Sequence, residues 1–250
     1  MKVGFLITGR MKSTRLPKKL TLQIFDREII ALMIDRLKCA KSVDEIIIAT
    51  STNPQDDVLE EIALREGVKV FRGSEEDVLE RLHGASQAYN LDYMINITAD
   101  CPLVSFDYIP LLIETFKYTS ADLITSMKLP HGFFFYGIKP SALAEVLKMK
   151  DSIHTEVWGA YFTETDQFNC IDLNTPVDLI REDYRLTLDY QEDFDFFDKL
   201  YNAYGEDIIV ATTDDIVSFL DKNPQIVAIN KDAKAKYQKR WDAQKNVNLK

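Results

Sequence analysis

The sequence predicts an α/β fold, a mostly parallel sheet covered by helices on both faces. Apolar, β-rich runs recur at Val3–Thr8, 45–50, 68–71 and Tyr93–Thr98, and amphipathic helical stretches separate them. The runs are apolar at nearly every position, as in strands buried on both faces. Strands and helices alternating at this spacing fold as right-handed βαβ units.

The elements follow in order. VGFLIT (Val3–Thr8) is a buried strand that ends at Gly9. Residues 28–37 place Ile29, Leu32, Met33 and Leu37 on one helical stripe. A second strand (45–50), a helix (56–66), a short strand (68–71) and a helix (75–89) come next. YMINIT (Tyr93–Thr98) is another strand, followed by a helix at 108–118. The pattern then changes. Residues 121–126 read as one more strand, and the aromatic run 133–138, bounded by Gly132 and Pro140, as a strand or small β arm. Residues 141–149, 175–184 and 192–204 read as helices, and 186–188 as a short strand ending at Asp189. With no repeat or low-complexity linker, residues 1–230 read as one domain, with an arm or acceptor region at about 127–175. Residues 231–250 carry seven Lys/Arg and two Asp, and read either as a solvated basic tail or helix or as a basic lid.

Across 250 residues, 30 Lys+Arg stand against 40 Asp+Glu, a net charge of −10. That balance argues against a general nucleic-acid binder but leaves room for a local basic pocket. Cys39, Cys101 and Cys170 form neither a disulfide framework nor a CxxC knuckle. The N-terminal apolar run is too short for a signal peptide, and no stretch suits a membrane span. The expected compartment is the cytoplasm.

In open α/β sheets, ligands bind beyond the carboxyl ends of the strands, and three such ends stand out. After Thr8 and Gly9 come Arg10, Lys12, Arg15, Lys18 and Lys19, interleaved with Ser13 and Thr14. Such a loop reads as an anion cradle or as a solvated basic loop, and it lacks Walker A spacing. Asp100, at the end of YMINIT, reads either as a Mg²⁺ ligand or as a turn or cap residue. Asp189 repeats the arrangement, while the aspartates that follow it, to Asp198, read as a solvated helix face. Cations for a triphosphate and carboxylates for a metal are the apparatus of nucleotidyl transfer. Cys101 reads as a small buried filler. His154, beside Glu156 and Trp158, reads either as an acceptor contact or as a satisfied aromatic-cluster histidine. His131 and residues 133–136 line an acceptor pocket or form a dimer arm, the arm being favoured because exposed aromatic strands tend to be covered.

The run Arg10, Ser13, Thr14, Arg15, Leu16, Pro17 and Lys19 resembles the R-x-x-S-T-R-L-P-G-K signature of the CMP-sugar-acid synthetases, the Kdo and acylneuraminate cytidylyltransferases. Gly73 to Leu79 (GSEEDVL), Asp100 to Leu103 (DCPL) and the stretch from Leu186 through Asp193 are similar to the spore-coat polysaccharide synthesis protein F-like branch. The resemblance implies a Rossmann-like fold of the nucleotide-diphospho-sugar transferase type. It implies transfer of CMP from CTP to a sugar acid or other anionic acceptor, with Mg²⁺ as cofactor and a homodimer as the assembly. Arg10 and Lys19 would contact the triphosphate and, with Asp100, form the catalytic set. Thr8 and Gly9 would approach the nucleotide with backbone atoms, and Ser13 and Arg15 would support the loop. Arg72, Gly73, Ser74, Asp77 and Arg81 would lie near the base and ribose, and Asp100 and Asp189 would hold Mg²⁺. His131, His154 and Glu156 fall on the acceptor side. A nucleotidyltransferase using another NTP, such as GTP with a sugar 1-phosphate, and a non-catalytic nucleotide binder are the alternatives. One departure is Lys18, which stands where the signature has Gly. It adds a cation suited to a more anionic acceptor, such as a phosphate or phosphonate, and gives the loop less freedom for a positive φ. The other is residues 153–158, where only His154 matches the branch's E-H-V-T-like segment.

Overall fold

A computed structural model describes residues 1–244 of the chain, and the side chains of residues 1–237. Strand β1 (Val3–Thr8) is followed by a small antiparallel hairpin, β2 (Gln23–Ile24) and β3 (Arg27–Glu28), and by α1 (Ile29–Leu37). Then come β4 (Glu45–Ser51), α2 (Asp57–Arg65), β5 (Lys69–Gly73), α3 (Val78–Ala88), β6 (Tyr93–Thr98) and α4 (Ile109–Thr119). The second half contains β7 (Leu123–Thr125), β8 (Tyr136–Ile138), α5 (Pro140–Met149), α6 (Ala160–Thr163) and β9 (Cys170–Asp172). Helices α7 (Gln191–Tyr204), α8 (Thr213–Lys222), α9 (Pro224–Val227) and α10 (Lys231–Gln244) complete the described chain.

Seven strands form one sheet in the order β5-β4-β1-β6-β8-β7-β9. The β4–β5, β1–β4, β1–β6 and β7–β9 pairs are parallel, and β8 runs antiparallel to both of its neighbours. The near-continuous apolarity of β1 has a direct cause. Phe5 and Ile7 pack into the layer containing Met33, Leu59 and Leu112, whereas Leu6 packs into the layer containing Leu82, Leu143 and Trp158. Both faces are covered, so no position can be polar at low cost. A third cluster joins α1 to α7, α8 and α9. Fully buried Arg36 fastens that joint, donating to the carbonyls of Val104 (2.9 Å), Ile208 (3.0 Å) and Ala211 (2.8 Å).

The structure departs from the sequence-based expectation in three places. Within 133–138 the strand reading holds for β8 (Tyr136–Ile138), an inner strand, but the favoured exposed arm does not, because Phe133 and Phe135 are buried in this chain's own interior; the small extra β element is the hairpin at 23–28. Residues 175–184 are not a helix; only Val177–Leu179 makes a turn of 3₁₀-helix. There Arg181 and Tyr184 both reach Asp221 of α8, and this tertiary pairing overrides helix propensity. Residues 186–188 are not a strand. The Leu186 N–H donates to His131 O (2.6 Å) and the Leu188 N–H to Asp100 O (2.8 Å), so loops satisfy the backbone where a ladder was expected. Gly132 is required beside this contact, since a Cβ there (φ +103°) would lie 2.0 Å from Leu186 O. Among the described residues, no helix is long and apolar enough to cross a membrane.

Lys18 adopts φ +58°, the left-handed region, at the head of the turn that carries Lys19. A side chain there costs roughly 1–2 kcal/mol that glycine avoids. Lys18→Gly is therefore expected to raise the unfolding free energy by about 1 kcal/mol, read from urea denaturation; a loss of that size would contradict the strain.

Candidate active site

The carboxyl ends of β1 and β6 are tied by the Ala99 N–H donating to Thr8 O (2.8 Å) and by Thr8 Oγ1 donating to Ile97 O (3.3 Å). Gly9 allows the chain to pass close there, because a Cβ would sit 3.0 Å from that of Ala99. The basic loop crosses this edge, pinned by buried Leu16 and Leu20. The 186–189 segment docks on Asp100 O and so brings Asp189 beside Asp100.

Lys19 joins these parts. Its Nζ lies 2.5 Å from Asp100 Oδ2 and 2.9 Å from Asp189 Oδ1. Burial opposes the charge on Lys19, but the two carboxylates outweigh it and hold the ammonium above the ordinary lysine range. Asp189 also accepts from Arg15 (2.5 Å) and Arg185 (3.0 Å). Burial would raise its pKa, but Lys19, Arg15 and Arg185 prevail and hold the carboxyl well below the usual range. Asp100 Oδ1 accepts from Thr98 Oγ1 at 2.5 Å.

Two cavities meet at this cluster. The narrower, of about 150 Å³, is lined by Thr8, Gly9, Arg10, Lys12, Ser13, Arg15, Lys19 and Arg81. The wider, of about 580 Å³, is lined by His131, Phe134, Tyr136, Arg181, Asp189, Lys234 and Tyr237. Arg15, Thr98, Asp100, Glu156 and Trp158 belong to both walls. The narrow cavity is cationic, as polyphosphate requires. Arg10 donates to Glu75 O (2.6 Å) and lies 3.5 Å from Glu76 and 3.8 Å from Glu156. Lys12 is paired with Glu76 (2.8 Å) and Glu75 (3.2 Å). Buried Arg81 donates to Ser74 O (2.5 Å), and desolvation, with Arg10 nearby, pulls its pKa down to about 10.

Of the residues expected near the base and ribose, Arg81 alone lines the narrow cavity. Arg72 points elsewhere, donating to Ser51 O, Asn53 O and Glu60 and pairing with Asp57. Asp77 is a buried N-cap of α3, accepting from Glu80 N (3.1 Å) and Thr155 Oγ1 (2.9 Å) and paired with Lys150. Ser74 caps the same turn by accepting from the Asp77 N–H, and Gly73 ends β5. His154 is exposed, 3.6 Å from Glu76, and lines neither cavity. Cys101 is fully buried and its thiol is pushed up by burial, in keeping with a filler.

Sequence reasoning missed a buried support beneath Asp189. Asp193, expected on a solvated face, is fully buried: it grips Arg185 (2.9 and 3.0 Å) and accepts from the Asp189 and Tyr190 N–H groups. Its sequence signals are its place at the end of the Leu186-to-Asp193 stretch that carries the resemblance and its position three residues into a helix, where a carboxylate caps the backbone.

Comparison with known proteins agrees with this geometry. The cytidylyltransferase family profile matches residues 5–208, and the chain belongs to that family of nucleotidyltransferases. It is 35% identical to an uncharacterised protein of Methanocaldococcus jannaschii, over 94% of this chain and 97% of that one. It is 27% identical to the spore coat polysaccharide biosynthesis protein SpsF of Bacillus subtilis, over 88% of this chain and 94% of that one. A solved cytidylyltransferase from Leptospira borgpetersenii superposes with a TM-score of 0.83 at 30% identity, covering 91% of this chain and 97% of its own. The resemblance read from the basic loop and the DCPL and GSEEDVL segments thus stands.

His131 is pressed between the Arg185 segment and Tyr237, with ring centroids 4.9 Å apart at the latter. Burial and the Arg185 charge push its pKa from 6.5 down to about 4. The unfolded chain therefore takes the proton first, and stability falls as pH drops from about 6.5 toward 4. Imidazole NMR should show His131 neutral at pH 5.5; titration near the ordinary value would contradict its burial.

Proposed function

We propose that this chain transfers CMP from CTP to an anionic acceptor, a sugar acid or a phosphate or phosphonate, releasing pyrophosphate in the synthesis of a surface glycan. The observation that carries the reading is Lys19, an ammonium held by two carboxylates where a cationic cavity opens into a wider one. The name of the Bacillus subtilis relative supports the glycan assignment.

In this reading the triphosphate occupies the narrow cavity, with Arg10 and Lys12 against its β- and γ-phosphates. Lys19 faces the α-phosphate, and the acceptor enters from the wider cavity. An anionic, already deprotonated acceptor oxygen attacks the α-phosphorus, the bond to the bridging oxygen of the β-phosphate breaks, and pyrophosphate leaves with that electron pair. Charge neutralisation and alignment suffice, without a covalent enzyme intermediate.

The donor set fits Mg²⁺, since Asp100 and Asp189 are hard oxygen donors that already converge on one cation, Lys19 Nζ. Those two carboxylates would hold the ion, which when bound supplies charge to the phosphate oxygens. Thr98 orients Asp100, and Arg185 orients Asp189.

Thermal-shift titration with CTP, UTP, GTP and ATP, each with and without Mg²⁺, tests the nucleotide, because native-state binding raises Tm by mass action. CTP with Mg²⁺ is expected to give the largest shift, and Asp100→Asn to lose the Mg²⁺-dependent part. A larger shift with GTP or UTP would overturn the base assignment. A metal titration of Asp100→Asn that overlays the wild type would make Asp100 a turn residue.

A further inference from the structure

Resting on that reading, we propose that helix α10 completes the acceptor site, with Lys234 as counter-charge for the acceptor's anionic group and Tyr237 as a wall of its chamber. The family match ends at residue 208, and α10 begins at Lys231. Both side chains nonetheless line the wider cavity, together with residues of the matched region.

Pairing singles out Lys234. The other basic side chains in that wall have carboxylate partners: Arg15 with Asp189 (2.5 Å), Lys128 with Asp172 (3.4 Å) and Arg181 with Asp221 (2.6 Å). The Lys234 ammonium donates instead to a main-chain carbonyl, that of Glu182. A carbonyl carries no net charge, so this contact does not offset the ammonium and leaves it further donors for an incoming anion.

The helix is seated firmly enough to present that group. Buried Asn230 donates to Arg185 O and to Asp193 Oδ1, both at 2.9 Å. Ala233 is fully buried, and Lys236 pairs with Glu192 at 2.7 Å. The Tyr237 ring lies 4.9 Å from the Arg185 guanidinium, which in turn holds Asp189. One buried cation thus touches both the chamber wall and a carboxylate at the reacting end. Phe134, Tyr136 and Trp158 give the chamber aromatic faces, and the same wall carries Thr98, Thr187 and the carboxylates of Glu156 and Glu182. Aromatic faces in the same chamber as a cation suit a ring or polyol that bears hydroxyls and one carboxylate or phosphate.

Trp158 is the built-in reporter, because it lies in both cavity walls and Trp241 is the chain's other tryptophan. In a Trp241→Phe background saturated with CTP and Mg²⁺, Trp158 emission is followed while 3-deoxy-manno-octulosonate (the carboxylate arm) or inorganic phosphate (the phosphate arm) is added. At least one anion is expected to give a saturable change. Its half-saturation should rise tenfold or more in Lys234→Ala and recover in Lys234→Arg, with the CTP titration unchanged in both. A flat response to both anions, or equal half-saturation in Lys234→Ala, would overturn the role of Lys234. Failure of CTP itself to shift either the emission or the Tm would instead overturn the underlying reading.

Discussion

One ammonium group organises this protein. Lys19 reaches the site from the loop after β1, Asp100 from the end of β6, and Asp189 from a segment nearly ninety residues further on. Three distant parts of the chain meet because Lys19 Nζ contacts both carboxylates. Without that cation the two carboxylates would repel each other across the seam. Arg15 and Arg185 add to the compensation. The cluster is therefore a charge-balanced seam between two cavities.

Much of the scaffold is legible in the sequence. Val3–Thr8 and Tyr93–Thr98 appear as strands because both their faces are covered, which leaves few polar positions in the run. The basic loop is legible because five cations in an acidic chain have no packing reason to cluster. The failures come from long-range contacts. Residues 175–184 have helical composition, yet Asp221 draws Arg181 and Tyr184 out of a helix. Asp193 sits in an acidic run, and only its burial against Arg185 and Asn230 sets it apart from its exposed neighbours. Arg72 sits in the expected segment but turns to the edge of the sheet, where Asp57 and Glu60 hold it. Membership of a motif does not decide which way a side chain points.

The C-terminal region shows how a family scaffold is extended. Arg36 and Arg185 are buried guanidiniums that bind carbonyls or carboxylates contributed by later parts of the chain. Arg36 anchors the stretch around Ile208 and Ala211 to α1, and Arg185 links Asp189 to Asn230 and Tyr237. Helix α10, beyond the residues that the family profile matches, thereby reaches the wall of the wider cavity.

Pyrophosphate release by Lys19→Ala, alongside its CTP binding and its circular dichroism, tests the central claim most directly. The account predicts a fall in turnover of roughly a hundredfold to a thousandfold, the size seen when one transition-state charge contact is removed, with secondary structure intact. Turnover close to the wild type would contradict the place given to Lys19 at the centre of the site.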